Sequence, residues 1–237
     1  MNKIYHAADS RGTSKLDWLD SKHSFSFADY YCPERINFGA LRVLNDDIVK
    51  AGMGFGTHPH QDMEIISIVL KGAMRHKDST GHEEILKAND VQVMSAGTGI
   101  RHSEFNASTS EEVHFLQIWI FPDQKGLTPR YEQNTFFLPD NDIGCQLLVA
   151  PINTDNEALK IHQNAYVSRV LISTGQIMEY QQYVATNGIY IFVLEGEVVV
   201  GEQLLQKRDG YGIVGNSKLE IGCTEDTHLI LLEVPVY

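Results

Sequence analysis

Short apolar runs recur along the whole chain, separated by stretches rich in glycine, proline, asparagine and aspartate. No run shows a convincing 3.6-residue helical period, and the spacing of turn residues favours strands. Strands are predicted at residues 38–44, 64–70, 73–77, 82–86, 91–94, 113–121, 145–150, 165–172, 189–194, 197–200, 212–214 and 229–234. Many short strands joined by turns are typical of antiparallel sandwiches and barrels, so the sequence predicts an all-β fold.

Three stretches outside these strands carry separate expectations. Residues 1–37 are irregular and rich in aromatic side chains, which favours an edge strand, a lid over an apolar site or an arm packed on the surface. Residues 45–47, Asn-Asp-Asp, are predicted to form a turn after the strand at 38–44. Residues 122–139 contain three prolines and are predicted to form a linker, which divides the chain into domains at 1–135 and 136–237.

The second half of the chain echoes the first. Residues 68–72 and 192–196 are both apolar strands that end in a charged residue and a glycine. Residues 88–91 and 207–210 are similar to each other at a comparable distance further along. This weak internal repeat suggests two duplicated β-barrels.

Composition limits the function classes. The chain has 237 residues and a net charge of −12, without any lysine- or arginine-rich run, which argues against nucleic-acid binding. Cys32, Cys145 and Cys223 are widely spaced and form no disulfide framework, so we expect a reducing compartment. The amino-terminal residues lack the apolar core of a signal peptide, and no apolar run approaches the length that spans a bilayer. A cytoplasmic protein is expected.

Two pairs of residues carry metal-ligand chemistry. His58 and His60 are two residues apart, and His102 and Glu104 repeat that spacing about forty residues later. On extended strands such pairs point to one face, so two adjacent strands would gather three nitrogens and a carboxylate. This set of ligands suits a transition metal better than calcium or magnesium. Glu64 also follows the first pair, and the spacing alone does not choose between Glu64 and Glu104.

The internal echo predicts where a second metal site would lie. The offsets from Gly72 back to His58 and His60, applied to Gly196, lead to Gln182 and Val184. The offsets from Asp90 forward to His102 and Glu104, applied to Asp209, lead to Ile221 and Cys223. No histidine lies near either pair. The sequence therefore predicts one metal, in the first half.

Several longer motifs resemble the pirin family of the cupin superfamily. They are HSFSFADYY, FGALRVLNDD, GFGTHPHQDMEI, MSAGTGIRHSEFN and LQIWI, and the likeness extends over nearly the whole chain. The resemblance implies a bicupin of two antiparallel barrels with one metal in the amino-terminal barrel. It implies His58, His60, His102 and Glu104 as ligands, and Glu64 stays a candidate for orienting a histidine. Iron is the first expectation, with manganese, nickel, copper, cobalt and zinc as alternatives.

The resemblance also implies an activity. Bacterial pirin-like proteins are described as quercetin 2,3-dioxygenases, which cleave the heterocyclic ring of flavonols with O2 and release carbon monoxide. Glu104 is then the catalytic residue that accepts the proton of the substrate hydroxyl. Phe25, Phe27, Phe55 and Phe105 are candidates for an apolar substrate slot.

Two alternatives stay open at this point. One is a pirin-type metal-binding regulator that acts through protein partners, and the other is a cupin that acts on another small molecule. Gln117 is expected to face the metal cavity. The remaining histidines without a partner at ligand spacing are interpreted as structural or surface residues: His76, His82, His114 and His162.

Overall fold

The computed structural model describes residues 3–138, 143–215 and 218–237, and the regular structure in these ranges is almost entirely β-strand. The first half contributes β1 (Lys3–His6), β2 (Gly12–Lys15), β3 (Leu19–His23), β4 (Leu41–Val49), β5 (Gly54–His60), β6 (Glu64–Lys71), β7 (Ala73–Asp78), β8 (Glu83–Lys87), β9 (Asp90–Ser95), β10 (Ile100–Asn106), β11 (Val113–Ile120) and β12 (Arg130–Thr135). The second half contributes β13 (Ile143–Pro151), β14 (Leu159–Ile161), β15 (Tyr166–Ile172), β16 (Ile177–Gln181), β17 (Asn187–Glu195), β18 (Val198–Val200), β19 (Gln203–Leu205), β20 (Gly210–Val214), β21 (Lys218–Cys223) and β22 (Thr227–Pro235). One short 3-10 helix, Ala8–Ser10, is the only helix within the described ranges. The predicted all-β class is confirmed.

Each half combines a seven-stranded and a four-stranded sheet. In the first half the strand orders are β12-β9-β6-β11-β4-β3-β2 and β5-β10-β7-β8. In the second half they are β1-β20-β17-β22-β15-β13-β14 and β16-β21-β18-β19. The pairs are antiparallel, apart from the short parallel contact of β13 with β14. Each pair of sheets forms a cupin-type jelly roll rather than one continuously closed barrel, and we call them the first and the second jelly roll.

Strand β1 begins the chain but belongs to the second jelly roll. It pairs with β20 from Lys3↔Ile213 to His6↔Gly210. Strands β2 and β3 extend the large sheet of the first jelly roll. The expectation that residues 1–37 are irregular is therefore wrong for much of that segment, because backbone pairing to both jelly rolls orders it. The division at residues 135 and 136 stays a prediction.

The predicted turn at residues 45–47 lies inside β4. Asp46 accepts a hydrogen bond from His114 Nε2 at 2.6 Å, and Ser21 donates to Asp47. These partners satisfy carboxylates that would otherwise be costly to bury in a strand. The sequence pattern was misleading because polar residues in a strand and polar residues in a turn look alike.

The predicted linker at residues 122–139 contains β12. This strand pairs with β9 from Arg130↔Ser95 to Thr135↔Asp90 and forms one edge of the large first sheet. Its alternating polar composition suits an edge strand, which explains why the apolar pattern missed it. The last residue of the predicted linker, Pro139, lies outside the described residues.

Four strands of the second half were not predicted: β14, β16, β19 and β21. Three of them belong to the small sheet of the second jelly roll. Residues of β16 alternate between exposed and buried, with Met178 and Tyr180 as its buried members. Such short strands carry only two or three apolar residues, which is too little signal for a sequence pattern.

The two large sheets pack face to face, and β6 shows how this arrangement positions a site. Ile66 and Ile68 lie in the apolar cluster that joins the two jelly rolls. Because alternate residues of a strand face opposite ways, Ser67 between them points into the first jelly roll. Its hydroxyl contacts Glu104 and Gln117 there. One face of β6 thus builds the contact between the jelly rolls, and Ser67 on the other face reaches residues inside the first jelly roll.

Candidate metal centre

Three histidines meet on the inner side of the small first sheet. Strands β5 and β10 are adjacent, and His102 lies directly opposite His58. The ring centroids of His58, His60 and His102 are 4.5 to 4.8 Å apart. One nitrogen from each ring lies within 4.8 Å of the other two, so the three side chains can bind one ion. The predicted pairing of the two histidine stretches is what brings the rings together.

Burial keeps two of these rings neutral. Burial, together with the neighbouring imidazoles of His102 and His58, lowers the pKa of His60 to about 4. Burial and His58 lower the pKa of His102 to about 3. Neutral imidazole is the form that binds metal, because its free nitrogen keeps a lone pair. At neutral pH these rings are ready to act as ligands.

The hydrogen bonds of the rings also indicate that ring nitrogens are available to bind a metal. His58 Nδ1 lies 2.8 Å from the carbonyl oxygen of Gly56, so Nδ1 carries the proton and Nε2 is left as the ligand atom. Both nitrogens of His102 are buried without a hydrogen-bond partner among the described residues. A buried imidazole with unpartnered nitrogens is costly. A divalent transition metal fits this set of donors.

Glu104 lies two residues after His102 on β10 and is only 3% exposed. Gln117 Nε2 donates to both of its carboxylate oxygens, at 3.1 and 2.9 Å, and the Ser67 hydroxyl donates at 3.2 Å. These bonds fix the carboxylate beside the histidines. Gln117 therefore faces the cavity, as expected from the sequence.

The acid does not fall into the three-histidine group itself. Its carboxylate lies within 4.8 Å of ligand atoms of His102 and His76, which form a second possible ligand group. The two groups share His102. The four predicted ligands thus lie at one site but do not all approach each other equally closely.

His76, which the sequence analysis interprets as a structural or surface residue, lies beside the predicted ligands. It lies on β7 opposite Glu104 and is fully buried, and its Nε2 donates a hydrogen bond to Asp78 Oδ2 at 3.2 Å. Its Nδ1 is buried without a partner among the described residues. A pairing across two strands, rather than spacing along one, brings His76 to the site. Only a correct register between β7 and β10 would have found it.

Glu64 lies on the other face of β6, away from the histidines. It accepts a 2.7 Å hydrogen bond from Ser95 Oγ and another from the backbone N–H of His162. Burial raises the pKa of Glu64 to about 7. Because alternate residues of a strand share a face, Glu64 lies on the same face of β6 as Ile66 and Ile68, and Ser67 lies on the other. The expectation that Glu64 orients a histidine side chain is therefore wrong.

A cavity of about 520 Å³ opens beside the cluster. Its apolar wall includes Trp18, Leu19, Phe27, Phe55 and Trp119. Two of the four aromatic candidates, Phe27 and Phe55, are thus in place. Phe25 is instead buried in the core between the jelly rolls, and Phe105 is 39% exposed outside the cavity. The segment after β3 lines the cavity, which favours its interpretation as a lid.

A polar wall faces the same cavity and was not foreseen. His23 Nδ1 lies 2.8 Å from Asn45 Oδ1, and its Nε2 lies 2.9 Å from Ser14 Oγ. Asp47, bonded to Ser21, also lines the cavity, and burial raises the pKa of Asp47 to about 7. The sequence signal for this wall was the polar stretch at residues 45–47 within β4, and the sequence analysis assigned that stretch to a turn.

His82, His114 and the cysteines lie outside the histidine cluster. His82 is stacked on Tyr131, and His114 is bonded to Asp46. The three cysteines are free thiols. In the part of the chain that the structure describes, no helix has both the length and the apolar character needed to cross a bilayer.

Comparisons with known proteins agree with this fold. The family model described as Pirin matches residues 5–120, and the model described as Quercetinase C-terminal cupin domain matches residues 147–234. A protein of Escherichia coli K12 named quercetin 2,3-dioxygenase is 43% identical over 228 residues, which cover 96% of each chain. A Pirin-like protein of Caulobacter vibrioides is 39% identical over 95% of this chain and 96% of its own length.

A solved structure is similar over the full length. The bacterial pirin YhhW from Escherichia coli, in complex with nickel(II), has a TM-score of 0.93 and 41% sequence identity, with all of both chains covered. The nickel belongs to that protein. The likeness in fold and sequence includes the jelly roll that holds the histidine cluster described above.

Proposed function

This chain is a member of the pirin family, and we propose that it is a metal-dependent dioxygenase that cleaves the heterocyclic ring of flavonols such as quercetin, with release of carbon monoxide. The observation that carries the proposal is the histidine cluster beside a buried carboxylate, at the wall of an aromatic cavity. The name of the relative from Escherichia coli, quercetin 2,3-dioxygenase, supports the reaction.

The metal ligands in this proposal are His58, His60, His102 and Glu104. Iron is the first expectation, with manganese, nickel, copper, cobalt and zinc as alternatives, and nickel has the support of the solved relative. A bound divalent transition metal would supply Lewis-acid stabilisation to an oxygen atom of the substrate. The unpartnered nitrogens of His102 are the observation in this chain that such an ion would satisfy.

Glu104 moves the proton. The flavonol hydroxyl must lose its proton before O2 can attack the ring, and a carboxylate within the ligand group is placed to accept it. Gln117 Nε2 holds both oxygens of this carboxylate, and Ser67 Oγ holds one. These residues position the base and keep it from turning away from the substrate.

The cavity determines which substrates fit. Trp18, Phe27, Phe55 and Trp119 offer flat apolar faces to an aromatic ring system, and about 520 Å³ falls within the usual range for small-molecule sites. Asn45 and His23 on the polar wall can accept or donate hydrogen bonds to the hydroxyl groups of the ligand. An apolar, multiply hydroxylated aromatic substrate matches both walls.

The test is turnover by the full chain. Metal-loaded protein mixed with quercetin should consume O2 and release carbon monoxide in equal amounts. The matched control is the variant His58→Ala with His60→Ala, which should do neither. Metal-loaded protein that releases no carbon monoxide with any flavonol would overturn the proposal and favour a regulator that acts through protein partners.

A further inference from the structure

A second cavity, of about 300 Å³, lies between the two jelly rolls, and none of its lining residues lines the cavity beside the histidine cluster. Its walls come from the ends of β6 and β11 in the first jelly roll and of β15, β17 and β22 in the second. The aliphatic part of the wall consists of Ile68, Leu70, Leu138, Leu194 and Ile230. No function proposed above uses this cavity.

Arg169 is the charged residue that distinguishes it. The side chain lines the cavity and is 3% exposed. Its guanidinium donates to Asn89 Oδ1 at 3.0 Å and to the carbonyl oxygen of Phe136 at 3.1 Å, both of them neutral acceptors. Among the described residues it forms no ion pair within 4.0 Å. A buried guanidinium without an anion is strongly unfavourable, which indicates a missing partner.

The internal repeat identifies what is missing. In the first jelly roll, β11 places His114 opposite Lys71 and Leu116 opposite Asp46. In the second, β22 places His228 opposite Glu195 and Ile230 opposite Arg169. Aligning the two histidines therefore makes Asp46 and Arg169 equivalent positions.

The two positions differ in how their charge is balanced. His114 Nε2 donates a hydrogen bond to Asp46 at 2.6 Å, and Asp46 also forms ion pairs with Arg11 and Arg208. His228 faces a guanidinium where His114 faces a carboxylate, and its Nε2 is buried without a partner in the described ranges. One acceptor group placed between His228 and Arg169 would satisfy both side chains.

The other charges of the cavity do not supply that acceptor. Glu195 is the one carboxylate among the lining residues, and it is bound to Lys207 at 2.6 Å and lies 3.8 Å from Arg208. Lys71 at the rim forms no ion pair among the described residues. The cavity thus has a positive end and an aliphatic wall.

We propose that this cavity binds a small organic carboxylate, whose carboxylate group lies between Arg169 and His228 and whose apolar body packs on the aliphatic wall. Arg169 can receive a carboxylate through two parallel N–H donors, which is the preferred geometry of such pairs. A cavity of about 300 Å³ is large enough for a single aromatic ring with its acid group.

Benzoate is a suitable probe, and benzamide is its uncharged counterpart. Calorimetric titration of the metal-loaded full chain should give one benzoate per chain, without measurable binding of benzamide. Arg169→Met should weaken benzoate binding by about tenfold or more, because it removes a charged hydrogen-bonding partner. The exposed Lys71→Gln should weaken it by roughly two- to fivefold and keeps the test valid if Arg169→Met does not fold.

Two controls separate this site from others. Lys207→Gln, an exposed lysine outside the lining, should bind benzoate as the wild type does. The metal-free variant His58→Ala with His60→Ala should also bind it unchanged, so failure of the proposed dioxygenase function would not affect this result. Equal binding of benzamide, loss of binding in the metal-free variant, or wild-type affinity in both Arg169→Met and Lys71→Gln would overturn the proposal.

Asp140 and Asp142 lie outside the described residues, so their contribution is tested directly. Benzoate should bind equally well to the wild type and to Asp140→Asn with Asp142→Asn. If only that double variant binds benzoate, the anion is the chain's own and the proposed ligand site is wrong.

Discussion

The two jelly rolls share one framework and differ in what fills it. In the first, the strands of the small sheet turn histidines and a glutamate towards a cavity of about 520 Å³. In the second, the matching strands turn Met178, Tyr180, Val198 and Ile221 into a closed apolar core. The small sheets share one strand order, and so do the four central strands of the large sheets, β9-β6-β11-β4 and β20-β17-β22-β15. The inward side chains, rather than the fold, therefore decide which half can do chemistry.

The strand register makes the comparison residue by residue. His102 pairs with His58, and Ile100 pairs with His60. When Ile221 is aligned with His102, the same pairings lead to Met178 and Tyr180 in the second jelly roll. Within the described residues, the second jelly roll contains no group of three side chains that could hold a metal. Apolar packing occupies the positions that carry ligands in the first.

The largest expected effect is loss of metal. The wild type should bind about one equivalent of transition metal per chain, and His58→Ala with His60→Ala should bind essentially none, because two of four ligands are lost. Tyr180→Phe, at the position equivalent to His60, should keep the full equivalent. Elemental analysis after dialysis measures both. Two equivalents in the wild type, or full occupancy in the double variant, would contradict a single site in the first jelly roll.

The second effect concerns the stability of the fold, and it is expected to be larger in the second jelly roll than in the first. Ile221→Ala removes fully buried side-chain atoms from the closed core and should lower the free energy of unfolding by about 2–5 kcal/mol. The equivalent change His102→Ala should cost less in the metal-free protein, because it also removes buried unpartnered nitrogens. Urea denaturation of both metal-free variants gives the comparison. A larger loss of unfolding free energy for His102→Ala would mean that packing around the metal cavity stabilises the fold more than the apolar core of the second jelly roll does.

Gln117→Leu tests how the base is positioned. This change removes the Nε2 group that donates to both oxygens of the Glu104 carboxylate, while it keeps a side chain of similar size. Flavonol turnover, or affinity for the metal, should fall about 10- to 100-fold, as is usual for residues that support metal ligands. Steady-state kinetics with parallel metal analysis measure it. Wild-type kinetics would show that Ser67 alone holds the carboxylate.

The smallest effect concerns Glu64 and depends on pH. Burial raises its pKa from 4.5 to about 7. Between these values the unfolded chain releases the proton while the folded chain keeps it, so the free energy of unfolding falls as the pH rises from about 4.5 to 7. Glu64→Gln should remove that fall and add about 1–3 kcal/mol of stability at pH 8, with the metal retained. Loss of metal in this variant would instead give Glu64 a role at the site.

The sequence was informative where short-range spacing determines geometry. Pairs of residues two apart, such as His58 with His60, share a face on any strand, so the histidine cluster followed once β5 and β10 were adjacent. Ile221, one of the positions to which the internal echo led, lies in the apolar core of the second jelly roll. Counting from Gly196 gave Gln182 and Val184 instead of Met178 and Tyr180, because the loops of the two halves differ in length.

The sequence was less informative where pairing between distant strands decides. His76 reaches Glu104 through the register of β7 with β10, and Asp46 finds His114 across β4 and β11. Neither contact leaves a pattern in the local sequence. Polar residues in β4 were therefore assigned to a turn, and His76 was interpreted as a structural or surface residue without a role at the metal site. Such contacts require the three-dimensional pairing of the sheets.

Glu104→Gln tests the central claim, that the first jelly roll cleaves flavonols with Glu104 as the base. The change keeps the size and one oxygen donor but removes the basicity. With its metal still bound, the variant should release carbon monoxide from quercetin at least ~100-fold more slowly than the wild type, since a general base contributes ~100- to 10,000-fold. Metal content is measured in the same samples, because loss of metal would imitate loss of the base. A metal-replete Glu104→Gln protein that cleaves quercetin at the wild-type rate would contradict the assignment.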